Sequence, residues 1–289
     1  MGLPSMRPSL RDDGRTIGII GGTGSMGALF GQIFEDAGCT VEVIGRAPAS
    51  EYRGLAGRCS VVLVTVPISA TEEVIRTVAP VLEKDQLITD LTSIKEKPVA
   101  AMLESGAQVI GLHPLFGPNI ATIENQKLIM TPARADPETR LWLQGIFEEA
   151  GMQIHLSTPG AHDRAVAVTQ GIIHLQSIAM AQMLRNMNCN LEELLPFATP
   201  NAHATFAFMA RTLSQDSNLY GGILQGNPSV EETISAYLKA VKEVGEMILQ
   251  HDPEVFREEF DKDAVLSASF QKEAIPLTDR LLDLVVIEW

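Results

Sequence analysis

Thr16-Ile17-Gly18-Ile19-Ile20-Gly21-Gly22-Thr23-Gly24-Ser25-Met26-Gly27 runs from an apolar stretch into clustered glycines. Beyond it, Gly27–Ala37 carries Leu29, Phe30, Ile33 and Phe34 at i, i+1, i+4 and i+5, which is one helix face, and Gly38 follows as a stop. Strand, glycine turn and helix in succession make the first part of a βαβ unit. Beyond Gly38, Thr40–Ile44, Ser60–Val66, Leu87–Asp90, Gln108–Gly111, Lys127–Met130 and Gln153–His155 read as further strands between helical stretches. Ser60–Val66 is almost wholly apolar, as a parallel strand covered on both faces must be. The alternation predicts an α/β, doubly wound parallel sheet over residues 15–160. After Gly160 the strand signals stop. Asp163–Met187, Leu191–Leu195, Ala202–Gln215, Glu231–Gln250 and a tail from Pro253 to Leu284 read as helices, punctuated at Pro196, Pro200, Gly221–Gly222 and Pro228. Residues 161–289 are therefore expected to form an all-α C-terminal domain, suited to binding substrate and to making a homodimer, with residues 1–14 as a tail.

Composition narrows the function classes. Lys and Arg total 22 against 36 Asp and Glu, a formal charge of −14, and aromatic residues are 5% of the chain. Such an acidic chain repels a polyphosphate and offers few stacking platforms, so no nucleic-acid partner is expected. Cys39, Cys59 and Cys189 are an odd number, far apart, with no CxxC, which speaks against disulfides and structural zinc and for a reducing compartment. Met1 to Arg15 lacks the apolar core of a secretory signal, and no apolar run approaches the ~20 residues of a membrane span. A cytoplasmic protein with no membrane partner is expected.

Gly22, Thr23, Gly24, Ser25, Met26 and Gly27 spell G-x-G-x-x-G between a strand and an amphipathic helix, the setting in which that motif binds a dinucleotide. Gly22 would permit the tight turn, Gly24 a close approach of pyrophosphate to backbone, and Gly27 the packing of helix on strand. The helix N-terminus would present unpaired N–H groups to the phosphates. An acid at the end of the second strand would hydrogen-bond the ribose 2′-OH of NAD. Glu42 lies mid-strand, and the strand ends in Gly45-Arg46. Glycine removes a carboxylate that would repel a 2′-phosphate and Arg46 supplies a cation for it, so NADP is favoured over NAD.

Two further strand ends carry chemistry. Asp90-Leu91-Thr92-Ser93-Ile94-Lys95 and Gly111-Leu112-His113-Pro114-Leu115-Phe116-Gly117-Pro118 lie at the sheet edge where doubly wound folds bind ligands. His113, held between an apolar strand and a proline-rich turn, is the candidate base, since neutral imidazole can accept a hydroxyl proton. Ser93 would orient it or touch the substrate; its bland alternative is a helix cap. In the helical half, Gln170 and His174 are one turn apart, and His203 and Arg211 lie eight residues apart on one helix. Phe206, Phe208 and Met209 around Arg211 suggest a packed stem and a partly buried guanidinium that needs an anion such as a substrate carboxylate. Singly, His174, His203 and Arg211 are more often structural. No spacing suits a metal.

Together these motifs resemble the prephenate dehydrogenase family, from Ile17 to about Tyr237. The resemblance is carried by the glycine loop, Val66-Pro67-Ile68, the Ser93 and His113 segments, His162-Asp163, Gln170 with His174, and Arg211 leading into Ser214-Gln215-Asp216 and Leu219-Tyr220. It is nearest to the dehydrogenase half of the bifunctional chorismate mutase–prephenate dehydrogenases; with only fifteen residues before Thr16, the mutase half is expected to be absent. The resemblance implies NAD(P)-dependent oxidative decarboxylation of prephenate, a small dicarboxylate, to 4-hydroxyphenylpyruvate in tyrosine biosynthesis. By the same resemblance His113 abstracts the 4-hydroxyl proton, Ser93 contacts that hydroxyl and the histidine, Arg211 holds a carboxylate and His174 lines the pocket. Val66 and Pro67 join the cofactor site. The chain departs from the fused type at His203, where an arginine is common, and from NAD-using members at Gly45. Arogenate and 4-amino-4-deoxyprephenate remain alternative substrates. A β-hydroxyacid dehydrogenase would place a catalytic lysine in the helical half, where Lys239 and Lys242 come well after the pocket helix. A non-catalytic NADP sensor would keep the loop without needing His113.

Overall fold

The computed structural model describes residues 14–288; the expected tail, residues 1–14, falls almost wholly outside them. The chain divides into two compact units, Met1–Val166 with Gly221–Pro228, and Ala167–Tyr220 with Ser229–Trp289.

The first unit is a seven-stranded sheet, with β1 (Thr16–Ile20), β2 (Thr40–Ile44), β3 (Val61–Val64), β4 (Leu87–Asp90), β5 (Gln108–Pro114), β6 (Lys127–Arg134) and β7 (Gln153–Leu156) in the order β2-β1-β3-β4-β5-β6-β7. All neighbours are parallel except β5 and β6. The alternating side chains of β1 explain the two-sided core. Ile17 and Ile19 pack with Phe30, Phe34 and Phe147 of α1 (Ser25–Asp36) and α5 (Pro137–Glu149). Ile20 faces the other way, with Leu55, Ile75 and Met102 of α2 (Ala49–Ala56), α3 (Ile68–Val78) and α4 (Glu96–Leu103). Phe147 meets Phe30 and Phe34 edge-on at 5.6 and 5.8 Å. Strand order reverses at β1, so the loops after β1 and β3 adjoin at a topological switch point.

The last expected strands extend further than the sequence suggests. Gln108–Gly111 lengthens to Pro114 because β6 runs antiparallel beside it, pairing His113 with Ile129 and Pro114 with Leu128. His113 therefore sits inside a strand and not in a turn.

The expected boundary at 160/161 moves to Val166/Ala167, because α6 (Pro159–Val166) buries His162 and Asp163 in the first unit. Gly221–Pro228 also returns there. A Cβ on Gly222 would meet Ile68 at 3.1 Å, and one on Gly226 would meet Ile94 at 3.2 Å. Gly221 and Gly222 stay inside the helix α10 (Ser217–Gly226), where the sequence suggested a break, and the close fit is at Gly222 and Gly226.

The second unit is helical: α7 (Ile173–Asn186), α8 (Leu191–Leu194), α9 (Pro200–Leu213), α11 (Val230–Leu249) and α12 (Pro253–Glu288). Pro200 is placed in the first turn of α9, and Thr199 caps it by accepting from Ala202 N at 3.3 Å. The expected helix Asp163–Met187 is present, but it is not α-helical throughout. A π-helical turn, Ala167–Ile172, separates α6 from α7 and carries Gln170. No helix among the described residues is long and apolar enough to cross a membrane.

Candidate active site

The glycine loop opens α1 as the sequence suggests, but the tight turn falls one residue earlier. Gly21 has φ +85°, and a Cβ there would lie 2.5 Å from the Thr65 carbonyl oxygen. Only glycine fits that position. Gly22 is instead close-packed, its missing Cβ 2.6 Å from Val43, and Gly27 has room for none, with Gly22 Cα at 2.5 Å. Gly24 is the N-cap of α1; no side chain caps the helix and no acid occupies its first turn. The first-turn N–H groups are thus left for an anion. Thr23, Gly24 and Ser25 are exposed, whereas Met26 turns partly into the core. Val66, just after β3, comes within 3.0 Å of the place where a Gly21 Cβ would be, and Pro67 starts α3. The loop after β1 and the segment after β3 thus come together, and the uncapped helix fits the pyrophosphate of a dinucleotide.

At the end of β2, Tyr52 fixes the backbone by donating its hydroxyl to Gly45 O at 3.3 Å and accepting from Ala47 N at 3.1 Å. Arg46 is exposed beside it. Glu42, the acid about 20 residues beyond Gly22, is held by Arg58 at 2.7 Å.

His113 is 2% exposed on β5. Its Nδ1 lies 2.8 Å from Nε2 of His162, and His162 Nδ1 lies 2.7 Å from Asp163 Oδ1. Asp163 is itself fixed: Oδ1 accepts from Lys95 N at 2.8 Å, Oδ2 from Glu96 N at 2.9 Å, and its carbonyl from Asn227 Nδ2 at 2.8 Å. Beneath His113, the fully buried Lys95 ammonium donates to Asp90 Oδ2 and to Leu112 O, the latter at 2.7 Å. Thr92 also bonds to that carboxylate. Burial foremost, then the neighbouring His162 and Lys95, hold His113 well below the usual histidine pKa of 6.5. The imidazole is consequently neutral near pH 7 and can act as a base.

Ser93 is half-buried in the loop after β4 and makes no hydrogen bond to His113; the ring partner is His162. Sequence reasoning quoted His162-Asp163 but gave it no role. A His-Asp pair inside a mostly apolar helical stretch carries no spacing signal for a partner 49 residues away.

Four of the expected residues, Gln170, His174, His203 and Arg211, lie in the second unit. Gln170 Oε1 and His174 Nδ1 are buried without hydrogen-bond partners among the described residues, and the His174 ring meets Tyr220 edge-on at 4.4 Å. Burial lowers the His174 pKa. His203 is half-buried on α9. Arg211 is exposed, contrary to the packed stem expected from its neighbours, because of those three only Met209 is turned fully into the unit. Among the described residues no cluster of three His, Cys, Asp or Glu is placed to hold a metal.

Residues 35–156 match the family described as prephenate dehydrogenase, nucleotide-binding domain, and residues 158–262 that described as prephenate dehydrogenase, dimerization domain. A probable arogenate/prephenate dehydrogenase of Methanocaldococcus jannaschii is 31% identical over 86% of this chain, and the T-protein of Enterobacter agglomerans 30% identical over 90%. The chain spans 60% and 69% of these relatives' own lengths. Prephenate dehydrogenase from A. aeolicus, solved with hydroxyphenyl propionate and NAD+, shares the fold with a TM-score of 0.70 at 19% identity, over 89% of this chain and 98% of that one. Synechocystis arogenate dehydrogenase does so with a TM-score of 0.68 at 19% identity, over 88% and 99%. Two family matches that together cover most of the chain, joined to a relative 30% identical over most of both sequences, place the chain in the prephenate dehydrogenase family.

Proposed function

We propose that the chain oxidatively decarboxylates prephenate to 4-hydroxyphenylpyruvate in the tyrosine branch of aromatic amino acid synthesis, with NADP used in preference to NAD. The observation that carries this reading is His113: a neutral imidazole whose Nδ1 is engaged and whose Nε2 makes no hydrogen bond among the described residues, in the unit that carries the glycine loop. When bound, the nicotinamide supplies the hydride acceptor. His113 takes the C4 hydroxyl proton at Nε2 and Ser93 contacts that hydroxyl, while Arg211 holds a substrate carboxylate with Gln170, His174 and His203 as further substrate-binding residues. Loss of CO2 with aromatisation supplies the driving force, so the protein mainly positions groups. Exposed Arg46 beside Gly45, with Glu42 occupied by Arg58, supports NADP.

A homodimer through the helical unit belongs to this reading. That unit leaves Met183, Phe208, Leu238, Leu266 and Phe270 exposed. It also holds an apolar cavity of about 710 Å³ lined by Ile173, Met180, Met183, Phe208 and Met209 among others. An apolar surface of this kind is characteristic of an interface. Sedimentation should give twice 31.3 kDa.

The test is turnover of the purified chain with prephenate, arogenate and 4-amino-4-deoxyprephenate, each with NAD and with NADP. Prephenate with NADP should give the highest kcat/KM. A higher value for arogenate, whose ammonium replaces the keto group, would reassign the substrate, and no reduction of either dinucleotide would leave a sensor.

A further inference from the structure

His162 and Asp163 are used by nothing in the reaction above, yet both are buried, His162 against the base and Asp163 against His162. The carboxylate of Asp163 is an acceptor only, taking N–H bonds from Lys95 and Glu96. Its 2.7 Å contact to His162 therefore requires a proton on His162 Nδ1. A neutral imidazole protonated there has its lone pair on Nε2, which faces His113 Nδ1 at 2.8 Å. His113 Nδ1 must then be the donor of that pair. With both imidazoles neutral, one arrangement of protons satisfies all three groups, and it leaves the lone pair of His113 on Nε2.

We propose that His162 and Asp163 are positioning residues that fix His113 as its Nδ1–H tautomer and hold its ring, so that Nε2 is permanently the basic nitrogen. Asp163 performs this through a rigid anchor: its two oxygens take the N–H groups of the N-cap and first residue of α4, and Asn227 holds its backbone. The rings of His113 and His162 meet edge-on, 5.0 Å between centroids and 70° between planes, so neither turns without breaking the chain of bonds. The same logic governs other histidine bases held by a carboxylate, where changing that carboxylate to an amide selects the wrong tautomer and costs about 10⁴-fold in turnover. Here a second histidine is interposed.

The proposal rests on the reading of His113 as the base, and the experiment separates the two. Nitrogen-15 spectra of the histidine rings in the wild-type protein at neutral pH should show His113 protonated on Nδ1 and not on Nε2; the reverse tautomer overturns the proposal whatever the variants do. In kinetics, His162→Leu removes the acceptor while keeping bulk, and His162→Gln restores an acceptor. His162→Leu should lower kcat by about 100-fold with dinucleotide affinity unchanged, and His162→Gln should recover about tenfold of it. A purely structural role would lower both variants together with their melting temperatures. If His113→Asn is impaired and His162→Leu is not, positioning fails and the base stands. If His113→Asn is unimpaired, the base itself fails, and the tautomer remains readable in the spectrum.

Discussion

Thr23 occupies the space that a side chain on Gly45 would need: a Cβ there would lie 2.9 Å from Thr23 Oγ1 and 3.2 Å from Thr23 Cγ2. The glycine loop and the end of β2 are thus fitted to each other, and a side chain in place of Gly45 would require the exposed Thr23 side chain to shift.

Arg46→Ala should accordingly weaken NADP and leave NAD nearly unchanged. Loss of a charge-assisted contact to a phosphate is worth about 1.5–3 kcal/mol, or roughly 10–150-fold in kcat/KM for NADP. Equal effects on both dinucleotides would mean that Arg46 does not meet the 2′-phosphate.

The pH dependence follows from the burial of His113. The base must be neutral, so kcat should rise with pH along a single acidic limb. Because burial, His162 and Lys95 lower the His113 pKa, that limb should lie below the usual histidine value of 6.5. The folded state also binds this proton less readily than the unfolded chain. The corresponding stability is present above about 6.5 and is lost as pH falls toward the folded value. A limb at or above the usual value would show that solvent reaches the ring.

Lys95 and Asp90 form a fully buried ion pair beneath His113. Lys95→Met should cost about 3–5 kcal/mol in denaturant unfolding, because it strands the Asp90 carboxylate. Adding Asp90→Asn should return part of that loss, a coupling that a double-mutant cycle reads directly. Two additive, small losses would mean that the pair is not buried in solution.

Arg211 is exposed on α9, so Arg211→Ala should leave the melting temperature unmoved. If it holds a substrate carboxylate, KM should rise roughly 10–150-fold with a smaller change in kcat. Lysine should restore only part, since a point charge does not reproduce the guanidinium fork. Unchanged KM would move the carboxylate site toward His203 or His174.

What was legible in the sequence was local. The glycine run after Ile20 announces β1 and α1, and apolar runs such as Val61–Val64 locate central strands, because both signals lie within one short window. The length of β5 was hidden, because antiparallel pairing with β6 carries it through His113 and Pro114, and no local pattern reports a partner. The same applies to His162, whose role is defined by a ring on another element. The π-helical turn at Gln170 and the continuous helix through Gly221-Gly222 also depend on packing and not on propensity. Arg211 misled for a related reason: Phe206 and Phe208 beside it are not buried within the unit, so apolar neighbours in sequence did not make an apolar surrounding.

The most direct measurement is steady-state turnover of His113→Asn beside wild type, with dinucleotide binding measured on both. The expected result is a fall in kcat of about 10²–10⁴-fold, the range for a general base, with dinucleotide affinity preserved. Turnover of prephenate by the variant at the wild-type rate would contradict the assignment of His113 as the base.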